Sequence, residues 1–242
     1  MNACIQALKS LLADAPAQTR LSEAQLGRLA LHWQLLSAAN RAFNLTAITD
    51  DVTAAEKHYY DSLLALPALG GAAAGAAVAD IGSGGGFPGL VLAAACPQLR
   101  FTLIEATGKK CEFLVDCSQK MHLDNVKVIN MRAEEAGRRP ELRGQFDYVT
   151  ARAVAPLAVL VEYAAPLLRV GGSLVAMKGG NFAAERQEAE NALRLLHCTA
   201  APTQCHTLPQ SGEQRALIII RKEMETEEKY PRRPGMPHKR PL

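Results

Sequence analysis

Between Val78 and Leu90 the chain reads VADIGSGGGFPGL: an apolar run closes on an acid, and five glycines then fall within nine residues. Ala76 to Gly82 predicts a strand, and Pro88 to Ala95 predicts a helix begun by proline. A glycine-rich turn between strand and helix brings a ligand against bare backbone at a helix N-terminus.

The same unit recurs downstream. RFTLIEA predicts a second strand, followed by a helix from about Lys109 to Met121; NVKVIN predicts a third, followed by the short helical MRAEEAG. FDYVTARAV precedes a helix from Pro156 to Leu168, and GGSLVAMKG precedes one from Ala183 to Leu196. Two last strands, near His197 to Leu208 and Gln214 to Arg221, are joined by the turn PQSGE and predict an antiparallel ending. Repeated strand–helix units make an α/β fold, a parallel sheet with helices on both faces.

Residues ahead of the first strand read differently. LSEAQLGRLALHWQLLSAAN repeats apolar residues near every 3.6 positions with Ser22 as N-cap, and a second helix is expected from Val52 to Leu66, stopped at Pro67. The hinge GGAAAG separates this helical extension, residues 1–70, from the sheet domain, 71–222. Residues 223–242 form a tail that carries Lys229, Arg232, Arg233, Lys239 and Arg240 among four prolines, either a solvated end or an arm for phosphates.

A length of 242 residues suits one domain with an appendage, and 48% hydrophobic with 21% charged residues is the composition of a globule. The net charge of +3 does not by itself imply nucleic acid. The six cysteines form no CxxC pair, MNACIQALKSLLADAPAQ lacks a signal-peptide core, and no apolar stretch approaches a membrane span. A reduced, cytoplasmic protein is expected, away from membranes. HCTAAPTQCH holds His197, Cys198, Cys205 and His206, but its spacing matches no common zinc pattern, and no metal is expected.

Two ligands use such a turn: a dinucleotide and S-adenosylmethionine. Gly84, Gly86 and Gly89 satisfy GxGxxG, Gly82, Gly84 and Gly86 satisfy GxGxG, and neither match decides. Glu105, ending the second strand, can grip a ribose hydroxyl pair in either case. Asp80, inside the first strand, favours S-adenosylmethionine: it can hold an ammonium or order the loop, and offers nothing to a pyrophosphate. In RAEEA the Ala133 amide and Glu134 carboxylate stand where an adenine edge would lie, and an antiparallel strand closing a parallel sheet is typical of methyltransferases.

FNLTAITD, EKHYYDSL, DIGSGGGFPG, VTARAVAPL, MKG and YPRRPGMPHKRPL closely resemble the bacterial small-subunit ribosomal RNA guanine-N7 methyltransferases, the family once called glucose-inhibited division protein B. The resemblance covers nearly the whole chain. It implies a seven-stranded Rossmann-like class I methyltransferase fold with a small helical extension. It implies S-adenosylmethionine as donor, S-adenosylhomocysteine as product, and N7 of one guanine in 16S rRNA as acceptor. Naked 16S rRNA or the small ribosomal subunit would be the partner, with no DNA, and the enzyme a monomer. By motif, the donor contacts would be Gly82, Phe87, Ala133, Glu134 and Arg152, with Glu105 on the ribose; Phe87 is expected at the lip of the donor cleft, turned outward by Pro88.

N7 of guanine carries an in-plane lone pair and no proton, so alignment suffices and no general base is expected. Arg152 and Lys178, at the ends of the fourth and fifth strands, are the catalytic candidates, both as positioning groups. An arginine forked onto O6 and N7 would block the nucleophile, so Arg152 is expected on the donor carboxylate, a phosphate, or O6 alone. Asn44, His58 and Asp61 are expected to order a lid, His58 and Asp61 pairing along one helix face. Lys109, Lys110, Arg138, Arg139, Arg143 and the tail are the candidate RNA contacts. Three rivals share parts of this pattern: a nicotinamide-dependent oxidoreductase, a methyltransferase with another acceptor, and a non-catalytic RNA-binding factor.

Overall fold

The computed structural model describes residues 2–16 and 19–242. Helices α1 (Ala3–Ala13) and α2 (Glu23–Asn40) open the chain; Ser22 caps α2 through a reciprocal box with Gln25. The helix expected from Val52 to Leu66 is not uniform. It begins as α3 (Asp51–Ala54), widens into a π-helical segment (Ala55–Tyr60) and tightens again as α4 (Asp61–Leu63). Pro67 does not stop it but lies inside the next short helix, α5 (Leu66–Leu69), at a first-turn position where its missing N–H costs nothing.

The sheet follows as β1 (Ala77–Ile81), α6 (Gly89–Ala95), β2 (Arg100–Glu105), α7 (Gly108–Lys120), β3 (Val126–Asn130), α8 (Ala133–Ala136), β4 (Phe146–Arg152), α9 (Leu157–Ala164) and β5 (Leu168–Lys178). The helix expected over Ala183–Leu196 is split at Ala189 into α10 (Phe182–Glu188) and α11 (Glu190–Leu195). The strand expected over His197–Leu208 is interrupted around Pro202, which has no N–H for the ladder. Its halves, β6 (Cys198–Ala200) and β7 (Gln204–Thr207), both pair antiparallel with β8 (Gln214–Lys222). The order is β3-β2-β1-β4-β5-β8-β6, with β1 to β5 parallel and β8 antiparallel to β5. A short helix, α12 (Met236–Lys239), lies near the end.

Two apolar layers cover the sheet. One runs from Ile5 and Trp33 through Tyr59 and Leu63 into Leu90, Phe101 and Phe113, so the N-terminal helices share a core with α6 and α7. Residue 70 therefore marks a change of pattern, not a break in packing. The other layer joins Ile81, Val149 and Ile218 to α9 and takes in Tyr230 from the tail.

The tail is not a solvated end. Arg232 forks onto Glu162, a fully buried carboxylate of α9, through Nε and Nη2, and its backbone amide bonds the same group. Arg143, expected on RNA, is instead a staple: Nη1 donates to the carbonyls of Gly137 and Tyr230, and Nη2 to those of Thr226 and Glu227.

Candidate active site

The glycine turn leaves β1 and is held from below. Asp80 is at 0% exposure; Oδ2 accepts from Gly89 N at 3.2 Å and Oδ1 from the Thr150 hydroxyl at 2.8 Å. Thr150 is its register partner on β4, so the acid also ties two strands together. Burial raises the Asp80 carboxyl to about 6. Asp80 orders the loop: it is fully buried, and each oxygen accepts a bond from within the protein. Gly89 is bare because a Cβ there would stand 2.5 Å from Asp80 Oδ2.

The turn is also held from above. His32, fully buried on α2, bonds Gly85 O through Nε2 and the Tyr59 hydroxyl through Nδ1, both at 2.9 Å. A carbonyl only accepts, so Nε2 carries the proton and Nδ1 accepts from Tyr59. Burial lowers His32 to about 4, which keeps it neutral.

Phe87 requires a correction. It points inward, not to a cleft lip: it is buried, stacks on His58 with centroids 4.3 Å apart, meets His32 and Tyr59 edge-on, and lies 5.2 Å under the Arg152 guanidinium. The aromatic residues of α2 and the π segment make the deeper, drier environment for an uncharged ring.

Glu134 also turns inward. Its carboxylate is buried, and Oε1 accepts from Gly235 N at 2.8 Å and the Tyr163 hydroxyl at 3.4 Å, so it anchors the tail. Ala133 begins α8 at the C-terminal end of β3. Glu105, ending β2, bonds Gly84 N with one oxygen and Thr107 N with the other. A carboxylate has about four lone-pair sites, so Glu105 retains acceptors for a ribose diol. Gly84 has φ +53, and a Cβ there would meet nothing closer than 3.8 Å. Open, bare backbone beside an acid that holds it in place fits S-adenosylmethionine.

A cavity of about 680 Å³ opens beside this turn at the ends of β4 and β5, within the range of about 300–1,000 Å³ usual for small-ligand clefts. Arg152 and Lys178 both line it, with Lys57, His58, Asp61 and Arg215. The loop after β4 forms its floor. Ala153 there has φ +55, a left-handed conformation that strains a residue with a Cβ. Lys178 Nζ donates to Ala155 O at 2.6 Å and pairs with Glu185 at 2.6 Å, while Glu185 accepts from Leu157 N, the first residue of α9. Val154 presses on the glycine turn; a Cβ on Gly82 would come 2.7 Å from its Cγ2. Donor turn and cavity floor thus touch.

Arg152 is held on one edge. Nη1 donates to Asp61 at 3.0 Å and to the carbonyls of Lys57 and His58, at 2.8 and 3.4 Å, in the π segment. Nε and Nη2 make no hydrogen bond among the described residues. Asp61 also accepts from Arg215, at 3.3 Å. His58 and Asp61 do not pair with each other: His58 Nε2 bonds Thr46 Oγ1 at 2.7 Å. Burial first, then the nearby Arg152 charge, lowers His58 to about 3. Asn44 is exposed; Asn40 organises that loop, accepting from Leu45 N and Thr46 N and donating to Thr46 O.

Sequence reasoning missed Arg215, Lys57, Glu185 and His32. Arg215 comes to the cavity because β8 runs antiparallel to β5, pairing Ala216 with Lys178. That register carried the only signal.

The sheet order, the bare turn and the cavity at the strand ends define a class I methyltransferase. Solved structures agree on the fold: the YcgJ protein of Bacillus subtilis matches 69% of this chain and all of its own with a TM-score of 0.54 at 16% identity. A 16S rRNA (adenine-N1)-methyltransferase from Catenulisporales acidiphilia matches 64% of this chain and 89% of its own, TM-score 0.53, at 13% identity. A profile of the rRNA small subunit methyltransferase G family matches residues 25–218. The chain is 39% identical over 98% of its length to ribosomal RNA small subunit methyltransferase G of Leuconostoc citreum, covering 99% of that protein. It is 41% identical over 92% of its length to the Streptococcus pyogenes protein of the same name, covering 93% of it. The chain belongs to this family and is an S-adenosylmethionine-dependent methyltransferase of ribosomal RNA.

Proposed function

We propose that the protein methylates N7 of one guanine in 16S rRNA, acting in the cytoplasm as a monomer on the small subunit or its RNA. One observation carries this reading: the cavity beside the glycine turn is lined by cations held on carboxylates, and its histidine is kept neutral. S-adenosylmethionine supplies a sulfonium-activated methyl group. Gly84 leaves room for the donor, Gly82 lets Val154 close on the turn beneath it, Glu105 offers acceptors to the donor's ribose, and Ala133 borders the adenine side. Arg152 keeps Nε and Nη2 for guanine O6 or the donor carboxylate, and Asp61 balances its charge as positive charge develops on the purine. Lys178 positions the floor through Ala155 and Glu185.

No residue has to remove a proton, since N7 bears none. His58, low in basicity and wedged against Phe87, suits a wall. Four cations against two carboxylates in the lining favour a polyanion, whose target base would be splayed out of its stack to enter.

The test is transfer from labelled S-adenosylmethionine to undermethylated 30S subunits and to naked 16S rRNA, read by nucleoside mass spectrometry. The expected product is 7-methylguanosine at one site. Label on another nucleoside, or on ribosomal protein, overturns the proposal.

A further inference from the structure

The docked tail has a consequence beyond packing. Pro231 lies against Gly137, where a Cβ would stand 2.9 Å from its ring, Arg143 ties Gly137 to Tyr230, and Gly235 bonds Glu134. Residues 231–235 therefore run along α8. Arg132, Arg138 and Arg139, at the two ends of α8, thereby flank the segment that carries Arg233, and Lys239 and Arg240 follow at the end of α12, which packs on α9. All six are exposed, and none makes an ion pair among the described residues. The two cations that do the docking work are different ones: Arg232 is spent on Glu162, and Arg143 on carbonyls.

Position adds to charge. α8 starts just past the C-terminal end of β3, so Arg132 lies at the edge of the sheet that carries the glycine turn and the cavity, while Gly137, next to Arg138 and Arg139, packs on Pro166 ahead of β5, so that α8 and the tail lead away from the cavity toward the opposite edge. β3 stands three strands from β4, about 14 Å at the usual strand spacing. A strand of nucleic acid with one base in the cavity reaches that far within a few nucleotides.

Resting on the rRNA methyltransferase reading above, we infer that the docked tail and α8 form one basic strip that binds the RNA phosphate backbone flanking the target guanine. The strip supplies affinity and register without reading bases, since phosphate contacts position and base contacts specify.

The test compares wild type with the triple variant Arg233→Gln, Lys239→Gln, Arg240→Gln and, independently, with Arg138→Gln, Arg139→Gln, which leaves the tail untouched. Binding to protein-free 16S rRNA is followed against salt. The triple variant is expected to lower the slope of log K against log salt by about two, from about 0.7 per phosphate contact on single strands. Its KM for RNA should rise about tenfold with kcat, S-adenosylhomocysteine affinity and melting temperature unchanged. The α8 variant should move the slope the same way. Parallel slopes for wild type and both variants overturn the inference. So does a defect on 30S particles with wild-type behaviour on naked rRNA, which assigns the strip to a protein partner. Failure of wild type to methylate either RNA sinks the proposed function instead, and the slopes still judge the strip separately.

Discussion

Arg152 and Asp61 join across 91 residues of chain, the guanidinium at the end of β4 donating to the carboxylate that closes the π segment. Asp61 also takes Arg215, so removing it leaves two largely buried cations without their shared anion. Asp61→Ala should cost about 3 kcal/mol, the low end for breaking a buried pair because the cavity admits water. Chemical denaturation measures that loss. Asp61→Asn should recover part of the stability while KM for RNA stays raised.

His32 makes stability pH-dependent. Its pKa falls from about 6.5 unfolded to about 4 folded, so between these values the unfolded chain binds more protons. Stability is therefore full above pH 6.5 and is lost as pH falls through the window. His58, lowered to about 3, adds in the same direction. Asp80, raised to about 6, opposes both, because near pH 5 its folded carboxyl holds a proton that the unfolded one has lost; the slope of unfolding free energy against pH near 5 should therefore approach one proton in wild type and fall toward zero in His32→Gln. An unchanged slope in the variant would show that His32 is not the group titrating.

Phe87 packs against three aromatic residues and Arg152, so Phe87→Ala should cost about 3–5 kcal/mol. Phe87→Leu keeps most of the volume and should retain S-adenosylhomocysteine affinity within a few-fold. Calorimetric titration decides: a hundredfold loss in the leucine variant would place the ring on the donor.

Lys178 and Glu185 should act on the reaction through the floor of the cavity. Lys178→Met frees Ala155 O and leaves Glu185 without its cation. The expected result is a drop in kcat of about 10²-fold, typical of a misplacement near 1 Å, with donor affinity intact. Glu185→Gln should lower kcat in the same direction. Single-turnover kinetics with saturating RNA separate this from an RNA-binding defect.

Arg232→Ala should destabilise by about 3–5 kcal/mol because Glu162 is left as a buried, uncompensated charge. Replacing Glu162 by Gln in the same chain should restore most of the loss. Thermal melts of the single and double variants give the coupling.

Alternation of strand and helix was legible because its periods are local: VADI, TLIE and VKVI each announce a strand within a few residues. The glycine turn was legible for the same reason, as was the placing of Arg152 and Lys178 at strand ends. What each side chain faces was not. Phe87 and Glu134 turn inward because of residues far off in sequence, His58 in one case and Gly235 in the other. Arg143 looked like a surface cation, and only the carbonyls of residues 226–230 make it a staple. The π segment gives no signal beyond an ordinary apolar period, and its carbonyls meet Arg152 from 94 and 95 residues away in the chain.

Glu162 and Arg232 stand 70 residues apart in the chain. During synthesis α9 is finished long before its counter-charge exists, so the sheet layer around it stays a poor place for a carboxylate until the tail emerges. The segment around Arg232 thus works as a clasp fastened after the sheet it closes: a product interrupted before it keeps an unneutralised acid in its interior, and copies cut short there are disfavoured at the folding stage.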